Sequence, residues 1–256
     1  MITEYKQQNR VKLENVGKVY PNGTIAVEGA NLYVGEGEFL CFVGPSGCGK
    51  STIFNMITGL VPPSSGVMSV MGTTPKEAIS KNEISFVFQD HTLLPWLNLI
   101  DNVSLPLKLK GVSKKEYLQE GHRVLELVGL KGYEKVLPRE LSGGMKMRVS
   151  IARALIARPK LLLMDEPFGA LDEITRQTLQ DELLNIWKAE KGMTVLFITH
   201  NVFEAVSLST KVVVMTPRPG KISSIIPIPE LERDEEFRAS PLFSEYVRQV
   251  SQALKH

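Results

Sequence analysis

The sequence predicts an α/β fold: a core of buried strands, an antiparallel β layer near the N-terminus and an inserted α-helical subdomain. Strand-like patterns dominate from Val11 to Val43. Apolar residues at helical spacing dominate from about Pro95 to Ala157. Short apolar runs further along the chain end at polar side chains, as strands of an open α/β sheet do at the edge where ligands bind.

Length and composition are those of an ordinary globular protein. The chain has 256 residues, of which 43% are hydrophobic and 23% charged, so we expect a substantial core rather than disorder. We predict a single domain over residues 1–256. Its predicted parts are the core with the antiparallel layer at 1–90 and 158–217, the helical subdomain at 91–157, and a C-terminal tail at 218–256.

Charge and cysteine content limit the function classes. Thirty basic and 28 acidic side chains give a formal charge of +2, so charge alone indicates no nucleic-acid partner. The two cysteines, Cys41 and Cys48, predict reduced thiols in a cytosolic protein. The polar opening from Met1 to Arg10 lacks the apolar core of a signal peptide, and no run of about 18 apolar residues occurs. We therefore expect a protein that is neither exported nor membrane-spanning.

The first strands are separated by turns at Pro21–Gly23 and Gly35–Gly37, which predicts an antiparallel layer. The run Phe39–Val43 that follows has the length of a buried strand. Tyr20, just before the first turn, could offer its ring to an adenine base, because bases stack on aromatic side chains. The alternative is that Tyr20 only packs at a strand end.

The segment Gly44–Ser51 fits the phosphate-binding pattern G-x-x-x-x-G-K-[ST] and lies between a predicted strand and a predicted helix. Its glycines let backbone N–H groups curl around a polyphosphate, and the helix N-terminus adds a favourable dipole. Lys50 is expected to reach the β- and γ-phosphates, and the Ser51 hydroxyl to hold a magnesium ion that bridges them. The alternative is a chance match in an ordinary glycine turn. The strand-loop-helix order favours a nucleotide site.

A second glycine-rich helix start lies at Leu141–Met145, with the sequence LSGGM. Ser142, Gly143 and Gly144 give this helix another anion-binding terminus by the same argument. Taken alone, the motif would more often be an ordinary N-cap with a flexible lead-in.

The apolar run Leu161–Met164 closes on two carboxylates, Asp165 and Glu166. Because successive residues of a strand face opposite sides of the sheet, we expect the two to have different roles. Asp165 is expected to hold the magnesium shell, and Glu166 to polarise the attacking water as a general base. The alternative is a charged strand end that faces solvent.

Two other polar residues follow predicted strands. Gln89 comes after the strand predicted over 84–88, and His200 ends the run Val195–Thr199. A histidine at that edge could hydrogen-bond a γ-phosphate, although a lone histidine is otherwise usually structural. A strand over 212–215, a turn-rich, proline-rich stretch and a charged helical tail from Leu231 to His256 complete the predicted elements.

These motifs, in this order, resemble the nucleotide-binding subunit of ATP-binding cassette (ABC) transporters, from about Val11 to Pro217. The resemblance implies a P-loop NTPase core of the RecA-like type, and the cofactors ATP and Mg²⁺. It also implies adenine stacking by Tyr20, a Walker A loop at Gly44–Ser51, a magnesium- and water-contacting Q-loop glutamine at Gln89, a signature motif at Leu141–Met145, a Walker B pair at Asp165 and Glu166, a D-loop at Gly169–Asp172, and a switch histidine at His200.

The predicted site follows from these roles. The residues predicted to bind the cofactor are Tyr20, Gly44, Pro45, Ser46, Gly47, Cys48, Gly49, Lys50, Ser51, Thr52, Ser142, Gly143 and Gly144. The residues predicted to act in catalysis are Glu166, His200 and Gln89, and those predicted to bind the metal are Ser51, Gln89 and Asp165. Met145 departs from the family pattern, which usually has glutamine there, and Met147 stands where a polar residue is common.

The resemblance implies partners as well: transmembrane permease subunits, a solute-binding protein and a second ATPase subunit, with this chain a peripheral protein on the cytoplasmic face of the membrane. One chain carries two anion-binding helix starts for one γ-phosphate, so we predict that ATP is bound between two copies in a head-to-tail pair. The surface near Trp96 is expected to receive a short permease helix, whereas the neighbouring leucines are expected to pack in the core.

The segments Leu93–Leu97 and Thr216–Ile222, together with LSGGM, are similar to the nitrate, sulfonate and taurine importer branch. This predicts uptake of a small solute, such as an oxyanion. A soluble cassette ATPase of DNA repair or translation would share every catalytic motif. Such proteins normally add coiled-coil insertions, zinc clusters or a tandem cassette, and the sequence has none of them. A small-molecule kinase would share only the phosphate loop.

Overall fold

The computed structural model describes residues 9–169, 171–190, 192–229 and 232–255. The strands are β1 Val11–Val19, β2 Ile25–Val34, β3 Phe39–Val43, β4 Ser65–Val70, β5 Ile84–Val87, β6 Leu161–Asp165, β7 Thr194–Ile198, β8 Lys211–Met215 and β9 Ile222–Pro227. The helices are α1 Lys50–Ile57, α2 Pro75–Ser80, α3 Leu99–Leu109, α4 Lys114–Leu127, α5 Gly143–Leu155, α6 Glu173–Ala189, α7 Val202–Leu208, α8 Glu235–Ala239 and α9 Pro241–Ala253. Ala170 of the predicted D-loop, the tail residues Leu231 and His256, and the polar opening up to residue 8 lie outside the described residues.

The chain divides into two compact units, residues 1–81 with 192–256, and residues 82–191. In the first unit, β1 pairs antiparallel with both β2 and β4. The predicted antiparallel layer is therefore present, but β4 rather than β3 completes it. Strand β1 buries Val11 and Leu13 completely and leaves Lys12 and Glu14 partly exposed, which is the alternation typical of a half-buried strand. Val16 is also buried, beyond a shift in the strand register that follows Leu13.

The first unit also contains the strand order β7-β3-β8-β9. Strand β3 pairs parallel with β7 and β8, and β9 runs antiparallel to β8. All residues of β3 and β7 are buried, which explains why both are apolar apart from Thr194 at the start of β7. Helix α1 packs on β3 through Phe54, whose ring meets that of Phe42 edge-on at a centroid distance of 5.5 Å. The segment between β3 and α1 is thus fixed at both ends.

Three elements were absent from the sequence prediction. Strand β9 lies inside the stretch that its prolines marked as turn-rich, and Pro227 is tolerated because β9 is the edge strand of its sheet. Helix α2 is short and begins at a capping box in which Thr74 and Glu77 satisfy each other's backbone N–H groups. Helix α7 follows β7 and has only seven residues, too few for a clear helical period.

In the second unit, β5 and β6 form a parallel pair, and α3 packs against α4 and α5. Gly121 allows the close approach of α4 to α3, because a Cβ at this position would lie 2.6 Å from Ile100 Cδ1 and from Ser104 Oγ. This unit contains β5, β6 and α6 in addition to the helices predicted over 91–157. It therefore extends beyond both ends of the predicted helical subdomain.

The C-terminal tail is helical, as predicted, and is anchored to the first unit. Phe237 of α8 and Phe203 of α7 both contact Phe243 of α9, with ring centroids 5.4 and 6.3 Å away. Before α8, Arg233 is only 3% exposed and donates hydrogen bonds to the carbonyls of Ser209 and Ile228. A buried guanidinium must be paired, so this arginine ties the tail to the ends of α7 and β9.

The same region holds one of the two cysteines. Cys41 is fully buried in β3, and burial raises the pKa of its thiol well above the usual value, with the nearby Glu204 carboxylate raising it further. Cys41 therefore behaves as a small apolar residue. Both cysteines are free, as the sequence predicts.

We expect Arg233→Ala to lower the free energy of unfolding by roughly 2–4 kcal/mol, because it leaves two buried carbonyls without their donor. Urea denaturation measures this directly. Arg248→Ala is the matched control, since Arg248 lies on the surface of α9 and pairs with Glu245 there; it should leave the denaturation midpoint unchanged. Equal stability of the Arg233→Ala variant and the parent chain would contradict the anchoring role.

Candidate nucleotide-binding site

The segment Gly44–Ser51 connects β3 to α1 and closes around its own lysine. Lys50 is the first residue of α1 and is 5% exposed. Its Nζ donates hydrogen bonds to the carbonyl oxygens of Gly44 and Pro45, at 2.8 and 3.0 Å. The loop thus places an ammonium group beside the first turn of a helix, where the helix dipole also favours an anion.

Glycine is required at the turn into the helix. Gly47 and Gly49 have φ values of 71° and 112°, in the left-handed region that favours glycine. A Cβ on Gly49 would lie 2.6 Å from the Ala26 carbonyl oxygen of β2. The loop backbone therefore lies close against β2. Glycine-rich loops of this kind bind polyphosphates through their backbone N–H groups.

Tyr20 lies beside the same helix start. Its hydroxyl is 3.3 Å from Oγ1 of Thr52, in the first turn of α1. The Lys18 ammonium lies 5.6 Å from the centre of the Tyr20 ring, and it donates a hydrogen bond to the Pro62 carbonyl. The predicted aromatic residue, Tyr20, therefore lies next to the helix that follows the predicted phosphate loop.

His200 belongs to the same edge of the sheet as the loop. Phe42 of β3 is paired with Ile198 of β7 in a parallel register. Gly44 and His200 each come two residues after this pair, so both follow the carboxyl ends of adjacent strands. His200 is exposed. In open α/β sheets this is the edge at which ligands bind.

The second unit brings together Gln89 and Asp165 in the same way. Val87 of β5 is paired with Met164 of β6, and the two polar residues follow these partners at the carboxyl ends of their strands. Glu166 does not continue the strand: its φ is 44°, a left-handed value that is rare outside glycine. The expected strand alternation between Asp165 and Glu166 is therefore wrong, and the different positions of the two carboxylates come from the turn that ends β6.

The glycine-rich start of α5 is a capped helix N-terminus. Ser142 is the N-cap, and its Oγ accepts a hydrogen bond from the Met145 N–H at 3.3 Å. Ser142 and Gly143 are exposed, whereas Gly144 is buried against α6, where a Cβ would lie 2.6 Å from the Thr175 methyl group. Met147 is 1% exposed. The position at which a polar residue is common in the family is therefore a core position on the buried face of α5 in this chain.

Helix α5 also holds the segment after Gln89, which the sequence did not indicate. Ser150 Oγ donates a hydrogen bond to the His91 carbonyl at 2.7 Å. Arg153 donates to the carbonyl and the hydroxyl oxygen of Thr92, at 2.9 and 2.7 Å. Thr92 has a left-handed φ of 44°, so these bonds hold a strained backbone. No local signal predicts contacts between residues 61 positions apart.

The donor types of the predicted metal residues fit Mg²⁺. A hydroxyl (Ser51), an amide oxygen (Gln89) and a carboxylate (Asp165) are hard oxygen ligands, and Mg²⁺ usually combines one or two such groups with water and substrate phosphates. Among the described residues there is no cluster of three or more His, Cys, Asp or Glu side chains that could hold a metal ion. The described helices also include none long and apolar enough to cross a membrane.

Comparison with known proteins identifies the family. The family model "ABC transporter" matches residues 27–169. An uncharacterized ABC transporter ATP-binding protein of Methanocaldococcus jannaschii is 44% identical, over 98% of this chain and 95% of its own length. The aliphatic sulfonates import ATP-binding protein of Bacillus cereus is 42% identical (89% and 91%), and the taurine import ATP-binding protein of Escherichia coli is 45% identical (80% and 80%). These relatives confirm the predicted resemblance to the importer branch.

Solved structures agree. A dimeric ATP-binding cassette in a post-hydrolysis state, bound to ADP and Pi, aligns with a TM-score of 0.76 at 32% identity, over 86% of this chain and all of the other. A cassette of Clostridium perfringens that is part of the ABC transporter complex cbiONQ aligns with a TM-score of 0.80 at 27% identity, over 97% and 96%. The predicted α/β fold of the P-loop NTPase type is confirmed. The chain belongs to the ABC transporter family, as an ATP-binding subunit with ATPase activity.

Proposed function

We propose that this chain is the ATPase subunit of an importer for small sulfonate-type solutes, a class suggested by the names of its sulfonate and taurine relatives. It binds Mg-ATP, works with permease subunits and a solute-binding protein, and lies on the cytoplasmic face of the membrane. The observation that carries the proposal is the closed glycine loop around Lys50, with Tyr20 and His200 beside it.

Binding of the phosphates and of adenine is assigned to the first unit. The backbone N–H groups of Gly44–Ser51 and the Lys50 ammonium take up the phosphate charge, and the Tyr20 ring stacks on adenine. Ser51, Gln89 and Asp165 would hold Mg²⁺, which when bound neutralises charge on the phosphates. When ATP binds, Lys50 must exchange the two loop carbonyls for phosphate oxygens. Before nucleotide binds, these carbonyls stabilise the buried ammonium group.

Hydrolysis is assigned to the residues that follow the strands. Glu166 accepts a proton from the attacking water, and His200 donates a hydrogen bond to the γ-phosphate. Ser142 with the glycines after it completes the site from a second copy of the chain, where the N-terminus of α5 meets the same γ-phosphate. A dimeric cassette bound to ADP and Pi, among the similar structures, supports this arrangement.

The permease contact is assigned to the second unit. Trp96 is 72% exposed, so the core alternative does not apply to its side chain. We assign the surface near Trp96 to a short helix of the permease.

Lys50→Ala should weaken ATP binding by about 10- to 100-fold, because it removes charge-assisted hydrogen bonds to phosphate. Isothermal titration calorimetry of the purified chain measures the change. Lys131→Ala is the control, since Lys131 lies on the surface and pairs with Glu126. An unchanged ATP affinity in the Lys50→Ala variant would contradict the proposed phosphate site.

Glu166→Gln should retain ATP binding and lower hydrolysis by about 10²–10⁴-fold, because the amide keeps the shape of the carboxylate but cannot take a proton from water. Phosphate release by the variant, assembled with its permease, is the measurement. Glu126→Gln, a charge-neutralising change on the exposed surface of α4, should hydrolyse ATP normally. Near-normal turnover of Glu166→Gln would remove its assignment as the general base.

Trp96→Ala should leave the chain folded and able to bind ATP, but weaken permease association by about 30-fold, the effect of truncating an interface anchor. Co-purification and transport in reconstituted vesicles test this. Leu60→Ala is the matched control, because Leu60 is also an exposed large apolar residue, at 62%, and lies in the first unit. Normal assembly and transport by Trp96→Ala would overturn the assignment.

A further inference from the structure

The turn between β8 and β9, residues 216–221, follows the outer side of the phosphate loop. At the start of the loop, a Cβ on Gly44 would lie 2.9 Å from the Met215 carbonyl oxygen. Further along, Arg218 contacts Gly47, and Gly220 contacts Cys48. The end of β8 and then residues of the turn thus lie against successive residues of the loop. We call residues 216–221 the β8–β9 turn.

Arg218 makes the central contact. Its Nη2 and Nε both donate hydrogen bonds to the Gly47 carbonyl oxygen, at 3.0 and 3.2 Å. The side chain is exposed, so water would solvate it equally well elsewhere. The two bonds instead direct the guanidinium to a single backbone oxygen of the phosphate loop, 171 positions away in the sequence.

Gly220 fixes the turn to the sheet and to the loop. Its N–H donates to the Ala26 carbonyl at 3.1 Å, and its carbonyl accepts from the Glu28 N–H at 2.9 Å, so it is bonded to β2 on both sides. A Cβ on Gly220 would lie 1.8 Å from the Cys48 carbonyl oxygen. Only glycine permits this approach. The base of the turn is therefore rigid where it meets the loop.

These contacts set the direction of backbone N–H groups. In a planar trans peptide the N–H points opposite to the C=O of the preceding residue. Because the carbonyls of Gly47 and Cys48 face the β8–β9 turn, the N–H groups of Cys48 and Gly49 point away from it. The Cys48 N–H accordingly reaches the Pro45 carbonyl across the loop, at 3.3 Å. Under the proposed function, these N–H groups belong to the loop backbone that binds the phosphates.

We propose that Arg218 is a positioning residue for nucleotide binding: it holds the Gly47 carbonyl against the β8–β9 turn and so keeps the phosphate loop in its anion-binding shape. The inference rests on the proposed role of Gly44–Ser51. A loop that is already ordered loses less conformational entropy on binding, so its nucleotide affinity is higher. The effect acts through Gly47 and not through the charge of the guanidinium.

Three variants distinguish an effect of the hydrogen bonds to Gly47 from an effect of the guanidinium charge. Arg218→Gln places an amide nitrogen at the chain position of the arginine Nε, which already bonds Gly47, and removes the charge. Arg218→Met has a side chain of similar size to that of the glutamine variant but no hydrogen-bond donor. Arg218→Lys keeps the charge. Calorimetry with ATP and with ADP, each at low and high salt, gives the dissociation constants, and phosphate release at saturating ATP gives kcat.

We expect Arg218→Met to weaken ATP and ADP binding alike by about tenfold, and Arg218→Gln by about threefold or less, at both salt concentrations. The value of kcat should stay within about twofold of the parent chain, because the loop reaches its shape once nucleotide is bound. Lys221→Met is the matched control, since Lys221 lies in the same turn and forms an exposed ion pair with Glu28. It should bind as the parent does.

Parent-like affinity of Arg218→Met would overturn the inference. A result that follows charge would also overturn it: Arg218→Lys binds nucleotide as the parent does, Arg218→Gln binds as weakly as Arg218→Met, and the difference in affinity between the charged and uncharged variants disappears at high salt. The comparison of Gln with Lys decides between the routes even if Arg218→Met is poorly folded. Failure of the phosphate site itself is recognised separately, by an unchanged ATP affinity of Lys50→Ala.

Discussion

The burial of the Lys50 ammonium is the constraint on which the rest of the site depends. A cation that is 5% exposed must have hydrogen-bond acceptors, and its partners are backbone carbonyls of the loop that precedes it. The loop can supply them only if it doubles back sharply, which requires left-handed glycines at Gly47 and Gly49. Those glycines in turn bring the backbone against β2. One buried charge thus sets the backbone path, the residue types and the packing partner of the loop.

Most of the candidate site in the first unit could be predicted from the sequence because its signals are local. The phosphate loop is a contiguous pattern between a strand and a helix. Tyr20 follows a strand in which buried and polar residues alternate, and His200 follows an apolar run. The parallel register of Phe42 with Ile198 then confirms that His200 and the loop share one sheet edge. Local patterns are reliable here because they coincide with the hydrophobic period of the fold.

What the sequence could not supply depends on contacts far apart in the chain or on a single backbone angle. The bonds of Arg218 to Gly47 span 171 positions, and those of Arg153 to Thr92 span 61. Neither arginine belongs to a motif that predicts a partner. Glu166 illustrates the second case, since strand alternation continued through it in the sequence, whereas its φ of 44° ends the strand one residue earlier. The prolines around β9 likewise led the sequence analysis to predict turns where the structure has a strand.

The bonds from Ser150 and Arg153 to the segment after Gln89 have a mechanical consequence. They cross-brace the residues at 91–92 to the helix that begins next to Ser142, so the two cannot shift separately without breaking at least three hydrogen bonds. Within the second unit, these bonds therefore connect the helix that starts at the glycine-rich motif to the segment that leads to Trp96.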